Sequence, residues 1–275
     1  MTSSCVDCSR YIAAALAGLA VALVLALPGR VQAQSASTAV PTTVTVHVRS
    51  NDAKLLQDPV GGARVTIRHA DTGRVLAEGL QEGDSGSTEQ IMRQPHRRGE
   101  DLFTTPGAGQ YTATLSLTEP TRVEVTAEAP LDYPQAMQSA SKTLWLMPGQ
   151  DIMGDGVVLT VHGFIVEVLR PSDTAVRPGE TLTVRSRVRM LCGCPTEPGG
   201  MWDANTYTIT AQLMNDGEVV ATAPMEFAGT TSEYESTVTV PSDGATAVRV
   251  LAMDADRVNF GMATHALSGE VADER

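Results

Sequence analysis

Apolar residues recur at every second position through run after run of this chain. Val44, Val46 and Val48 alternate with Thr43, Thr45, His47 and Arg49. The rhythm returns at Val65 and Ile67, at Tyr111, Ala113, Leu115 and Leu117, and at Val123 and Val125. Successive side chains of an extended strand point to opposite faces, so this pattern predicts half-buried antiparallel strands with one face on a core and one in water. Turn residues punctuate the runs at 59–62, 71–73 and 106–109. Residues 144–147 read as the last strand of a first module, with Trp145 packed in a core or against a neighbouring module. Further strands are expected at about 157–170, 181–191, 206–214, 218–227, 233–241, 246–253 and 260–268, with Asp216-Gly217 as a hairpin turn. Seven short strands of this kind argue for a sandwich. The expected architecture is all-β, two tandem antiparallel β-sandwich domains at 42–150 and 151–275.

The N-terminus has the parts that export needs. Arg10 precedes an uncharged apolar run of 17 residues, 11–27. Pro28 and Gly29 then break it, and Val31-Gln32-Ala33 presents small residues at the −3 and −1 positions before Gln34. Residues 1–33 are read as a cleavable signal peptide, with a retained anchor as the alternative. Residues 34–41, rich in Ser, Ala and Thr, are expected to form a disordered lead-in. The implied location is the periplasm or the cell exterior, with no transmembrane segment in the mature chain. Cleavage removes Arg10, Arg30 and Asp7 and takes the net charge from −12 to −13. Such a surface repels nucleic acid and anionic membranes. The partner expected for it is another exported protein or a surface component. Cys5 and Cys8 leave with the leader, so only Cys192 and Cys194 remain, and stability must come from packing.

Two resemblances follow from local motifs. Residues 58–67, Asp71-Thr72-Gly73, Pro106-Gly107 and Gly109-Gln110-Tyr111 together resemble the prealbumin-like domain that accompanies carboxypeptidases and many secreted proteins. That resemblance covers 43–128 and implies an accessory β-sandwich with no catalytic role. Residues 84–103 depart from it as a polar insertion carrying Arg93, His96, Arg97 and Arg98, read as a solvated loop or a contact for an anionic partner. Pro171-Ser172 and Val176-Arg177-Pro178-Gly179-Glu180, ahead of Thr181-Leu182-Thr183-Val184, resemble bacterial immunoglobulin-like domains over 164–270.

One motif stands out chemically. Cys192-Gly193-Cys194-Pro195 follows a strand whose Leu182, Val184, Val188 and Met190 face in while Arg185, Arg187 and Arg189 face out. Three readings are open for the pair. With the thioethers of Met190 or Met201 it makes a soft site for copper as Cu(I), or for Zn. As a small-ring disulfide it is a redox centre. As a static bridge it pins a long loop. In an immunoglobulin-like topology the loops 192–206 and 254–259 gather at one end. That end would bring Asp203 and Asn205 toward Asp254, Asp256 and Asn259 as a binding-loop cluster. Enzymatic motifs are missing: no G-x-S-x-G, no HExxH, no P-loop, and no metal-ligand spacing among His47, His69, His96, His162 and His265. The reading is therefore a non-catalytic accessory or binding protein with no cofactor. Its alternative is a copper or thiol-redox protein centred on Cys192 and Cys194.

Overall fold

The computed structural model describes residues 38–172 and 175–269. The expected signal peptide and residues 34–37 lie outside them. One sandwich is built from β1 (Val40–Ser50), β2 (Ala63–His69), β3 (Val75–Gln81), β4 (Tyr111–Leu117), β5 (Thr121–Ala129), β6 (Gln138–Leu146) and β7 (Ile152–Val161). Its sheets run β4-β1-β7 and β3-β2-β5-β6. The other contains β8 (Phe164–Arg170), β9 (Ala175–Val176), β10 (Thr181–Met190), β11 (Thr208–Asn215), β12 (Glu218–Pro224), β13 (Glu226–Phe227), β14 (Glu233–Thr239), β15 (Ala247–Asp254), β16 (Asn259–Ala266) and β17 (Ser268–Gly269). Its sheets run β13-β14-β10-β8 and β12-β11-β15-β16, with β9 and β17 as a short parallel pair. That strand order is the immunoglobulin arrangement of two facing sheets. The all-β, two-sandwich expectation therefore holds.

Three boundaries move. Val40 and Pro41 are not lead-in, because β1 starts at Val40 and pairs it with Leu117. The run 157–170 is two strands rather than one. It breaks at His162-Gly163, where Gly163 takes φ +142 and a Cβ would lie 2.9 Å from the Phe260 carbonyl oxygen. The preceding half, β7, pairs in parallel with β1 from Val46↔Val157 to Ser50↔Val161. The first sandwich thus extends to Val161, beyond the expected boundary at 150. Parallel neighbours need a long crossover, and the whole β2–β6 excursion supplies it. By their contacts the two sandwiches belong to one unit.

The outer face of β1 is also not in water. Thr45 and His47 are buried, as are Val44, Val46 and Val48. The insertion 84–103 folds over that face, with Ile91 and Phe103 packing on Leu55 in a small core of their own. The Asp155 carboxylate accepts from the backbone N–H groups of Leu102 and Phe103 at 2.7 Å each and pins the segment. His47 Nδ1 bonds the Gly109 carbonyl at 2.9 Å, and its ring lies 5.8 Å from that of Phe103. The expected basic cluster is partly neutralised within the insertion, Arg93 by Glu89 at 3.5 Å and Arg97 by Glu100 at 3.9 Å. The His96 ring meets the Ile91 carbonyl at 3.0 Å.

Gln81 closes a gap in this sandwich. The β1–β4 ladder stops at Val46↔Tyr111, which leaves the peptide groups of Val48 without a strand partner on that side. The fully buried Gln81 amide replaces one. Its oxygen accepts from Val48 N–H, and its nitrogen donates to the carbonyls of Val48 at 2.8 Å and Leu56 at 2.9 Å. Replacing it strands two buried backbone groups, Val48 N–H and the Leu56 carbonyl, each costing about 1–3 kcal/mol, while the Val48 carbonyl keeps the Leu56 N–H at 3.0 Å. Gln81→Leu is expected to lower stability by about 3–5 kcal/mol, read as a drop in the urea midpoint.

Candidate functional site

The loops expected to form an open binding end instead meet the first sandwich. Chain geometry explains why. Only His162 and Gly163 separate β7 from β8, so the second sandwich is held within a few ångströms of the first. The loop after β1, residues 51–54, then reaches across. The Trp202 indole N–H donates to the Asp52 carbonyl at 2.9 Å, and Asn51 Nδ2 donates to the Arg257 carbonyl at 2.6 Å. Asn259 is fully buried, and its Oδ1 accepts from Gly163 N–H at 3.0 Å. On the opposite flank, Arg189 donates to the Tyr133 hydroxyl at 2.8 Å and lies over that ring while pairing with Glu167 at 3.0 Å.

Electrostatically the seam centres on Arg257. Its Nε sits 2.8 Å from Asp52 Oδ2, and its Nη1 sits 3.8 Å from Asp254 Oδ2. Asp254 is only 4% exposed, and that oxygen has no hydrogen-bond partner among the described residues. Burial raises the Asp52 carboxyl above the usual range, Arg257 opposes the rise, and Asp254 adds to it. Burial, together with Asp254 and Asp52, also raises the Tyr207 phenol. The β15–β16 hairpin is bent to serve this contact. Val258, a β-branched residue, takes φ 58 in the left-handed region.

The Cys192-Gly193-Cys194 motif lies in the same seam. Cys192 and Cys194 form a disulfide and are 0% and 4% exposed. The turn is closed by Gly193 N–H donating to the Met190 carbonyl at 2.8 Å and Met190 N–H to the Cys194 carbonyl at 3.1 Å. Gly193 has φ +78, and a Cβ there would meet Val60 Cγ1 at 2.8 Å and Gln57 Nε2 at 3.2 Å. No other residue type fits the tip without pushing on the first sandwich. Leu191 belongs to the core of the first sandwich, whereas Met190, Cys192 and Cys194 belong to that of the second. Closing so short a ring restricts the unfolded chain little, worth about 1–2 kcal/mol in the loop-entropy picture, so the bond acts mainly on local shape.

The structure thus places the candidate residues in three groups. Cys192, Cys194, Met190, Asp254 and Asn259 are buried at or beside the seam. The Met190 sulfur accepts from the Tyr207 hydroxyl at 3.9 Å. Asp203 organises its own loop, its Oδ1 accepting from Gly199 and Asn205 N–H at 2.9 and 3.0 Å, which holds its carboxyl below the usual range. Met201, Asn205 and Asp256 face solvent. Among the described residues no group of three or more His, Cys, Asp or Glu side chains converges as a metal site. Sequence reasoning missed Asn51, Asp52, Arg257, Gly163 and Leu191, all of which complete the seam.

Beside the seam runs an apolar groove of about 340 Å³. Gln135 and Gln138 line it from the first sandwich, and Leu251, Met253, Phe260 and Met262 from the second. Register explains the apolar wall. Leu251 pairs with Met262 and Met253 with Phe260 on the outer face of the β15–β16 ladder. Phe260 is 50% and Met262 54% exposed. No described helix is long and apolar enough to cross a membrane.

No family model matches the chain, and no curated protein matches it. Among solved structures it is similar to an engineered protein at 19% identity, over 46% of this chain and 24% of that one, with a TM-score of 0.28. A Cellulomonas fimi endo-β-1,4-mannanase double mutant is similar at 18% identity over 42% and 21%, with a TM-score of 0.26. The chain therefore spans about a quarter of the first and a fifth of the second. A titin pair of tandem immunoglobulin domains is similar at 10% identity over 85% of this chain and 98% of that one, with a TM-score of 0.24.

Two predictions follow from the charge and backbone of the seam. Removing Arg257 leaves the half-exposed Asp52 and the buried Asp254 facing each other, so Arg257→Ala is expected to cost about 1 kcal/mol at neutral pH, solvent screening included. Asp52 has a raised folded-state pKa, so its penalty is absent below the unfolded carboxylate pKa and grows as pH rises through the folded value. The Arg257→Ala deficit should therefore shrink as pH falls toward the carboxylate range, and thermal unfolding across pH 4–8 reads this. Val258→Asn, which tolerates the left-handed conformation, is expected to raise stability by about 1 kcal/mol in the same assay.

Proposed function

We propose that this chain is an exported, non-catalytic binding protein whose two sandwiches, held at a fixed angle, present the groove between them to another exported protein. The observation that carries this reading is the pair of half-exposed side chains Phe260 and Met262 at the lip of a groove lined from both modules. Solvent-exposed apolar residues that pair in register on one sheet face mark a contact surface rather than a fold requirement. Methionines adapt their shape to a partner, and the Gln135 and Gln138 amides supply hydrogen bonds to a peptide backbone. The occupant proposed is an extended apolar segment of a protein partner, since the acidic chain disfavours nucleic acid and anionic lipid. The first module fits the accessory role of prealbumin-like domains, and cleavage after Ala33 would release the chain outside the cytoplasm.

The disulfide supports this reading over a soft-metal one. Bonded to each other, the two sulfurs offer no thiolate to Cu(I), and the thioether of Met190 is already turned to Tyr207. A copper site at Cys192 and Cys194 would first require that bond to be reduced.

Two measurements test the proposal. Mass spectrometry of protein recovered from a bacterial periplasmic fraction should find Gln34 as the first residue; an intact Met1 in the membrane fraction would replace export with anchoring. A photo-crosslinker at Met262 should give one discrete adduct, identified by its peptides, that Phe260→Asp abolishes while the unfolding midpoint stays unchanged. The same adduct from a crosslinker at Val75, on the edge strand of the first sandwich opposite the one that carries Gln138, would remove the groove from the proposal.

A further inference from the structure

The outer face of the β11–β15–β16 ladder continues past the groove, and strand register fixes which side chains stand abreast on it. Val248, Val250 and Ala252 enter the core of the second sandwich, so Arg249, Leu251 and Met253 point outward. Three rows cross the strands. One aligns Thr208, Met253 and Phe260, and the next aligns Pro224, Thr210, Leu251 and Met262. The third sets Thr222, Gln212, Arg249 and Thr264 abreast. Among these described residues Arg249 carries the only charge, on a chain whose net charge is −12. The β10 arginines and Arg257 each hold a carboxylate of this chain. Arg249 instead donates from Nε and Nη2 to the neutral Gln212 amide oxygen, at 2.8 and 2.6 Å. It is oriented without being neutralised. Its Nη1–Nη2 end has no further partner among the described residues. That end is the fork that takes a carboxylate through two parallel bonds.

We propose that the partner segment presents an acidic residue to Arg249 and apolar residues, two and four positions away, to the groove. This specificity rests on the groove being the docking surface. Outward side chains of β15 repeat at about 6.6 Å, and so do those on one face of an extended peptide laid along it. A carboxylate on the Arg249 fork therefore brings the next like-facing residue to Leu251 and Met262, and the one after to Met253 and Phe260. No carboxylate among the described residues of the three rows competes for the guanidinium or repels the incoming group. At longer range the acidic chain slows such a partner's approach, so Arg249 acts on register and selectivity rather than on encounter rate. An apolar wall alone holds a strand in several registers, whereas one fixed charge beside it selects one.

The probes are end-blocked, fluorescein-labelled peptides of sequence Asp-Thr-Leu-Thr-Phe-Thr and its reverse, each with an Asn-for-Asp counterpart. Binding to the full chain is read by fluorescence anisotropy. In one chain direction the Asp peptide is expected to bind about tenfold tighter than its Asn counterpart. Arg249→Gln should bring that ratio to about one and leave binding of the Asn peptide unchanged. Arg249→Lys keeps the charge and the aliphatic stem but not the fork, and should also lower the ratio. Phe260→Asp should weaken binding of both peptides. An Asp preference that survives Arg249→Gln overturns the proposal. So does a ratio of about one in the unsubstituted chain with Phe260→Asp still weakening binding, a result that leaves the groove standing as a docking surface. Binding that ignores Phe260→Asp removes the groove and the acidic motif together. Failure of every probe to bind also overturns the motif.

Discussion

Five consecutive residues, 190–194, have to satisfy two hydrophobic cores at once, and the rest of the molecule is arranged around that demand. A strand sends alternate side chains to opposite faces. At the end of β10 those faces lead to different sandwiches. Met190 and Cys192 continue the inward face of the second, while Leu191 turns into the first. The chain must then reverse within its next two residues, which requires a glycine at the tip and closes the sulfurs on each other. The side chain of Leu191 could not reach the first core if the sandwiches were more than a few ångströms apart. The two-residue link between β7 and β8 removes that freedom.

Charge is handled by the same economy of position. The arginines of β10 expected to face water do so only in part. Arg185 and Arg187 share Glu233, at 2.8 and 3.1 Å, and Arg189 spans Glu167 and Tyr133. Arg257 sits between two carboxylates that would otherwise repel each other. In a chain this acidic, arginine is placed where one guanidinium can serve several acceptors in a fixed plane, which lysine cannot do. The cost is local strain, carried by Val258 at the tip of the hairpin that delivers Arg257.

Most of the sheet structure was legible in the sequence, because each strand that buries one face carries period-two alternation. The reading fails where a strand is buried on both faces or divided between sandwiches. His47 and Thr45 look solvent-facing by alternation, but Phe103 of the insertion packs on His47, Thr112 and Met153 meet Thr45, and nothing local announces that Phe103 will return to β1. The run 157–170 looks continuous because valines line both halves, and the single signal of its division is Gly163. The Cys192-Gly193-Cys194 motif was legible as unusual and as a disulfide in an oxidising setting. Its role as a joint was not, since that depends on Val60 and Gln57, over 130 residues away in sequence. Asp254 and Asn259 were found by topology, and topology also suggested an open end. The first sandwich occupies that end, a fact written in the positive φ of Asp52 and the reach of Asn51 rather than in any motif.

The seam draws on stretches far apart in the chain, at 51–53, 162–163, 189–194 and 254–259. Neither module is therefore a cassette. A fragment ending at 150 would lose β7 and leave β1 with a bare edge, and one beginning at 164 would keep a Leu191 with no core to enter. Recombination that exchanged one sandwich for an unrelated one would have to carry matching pieces of the other. Descendants of this architecture are accordingly bound to inherit both halves together.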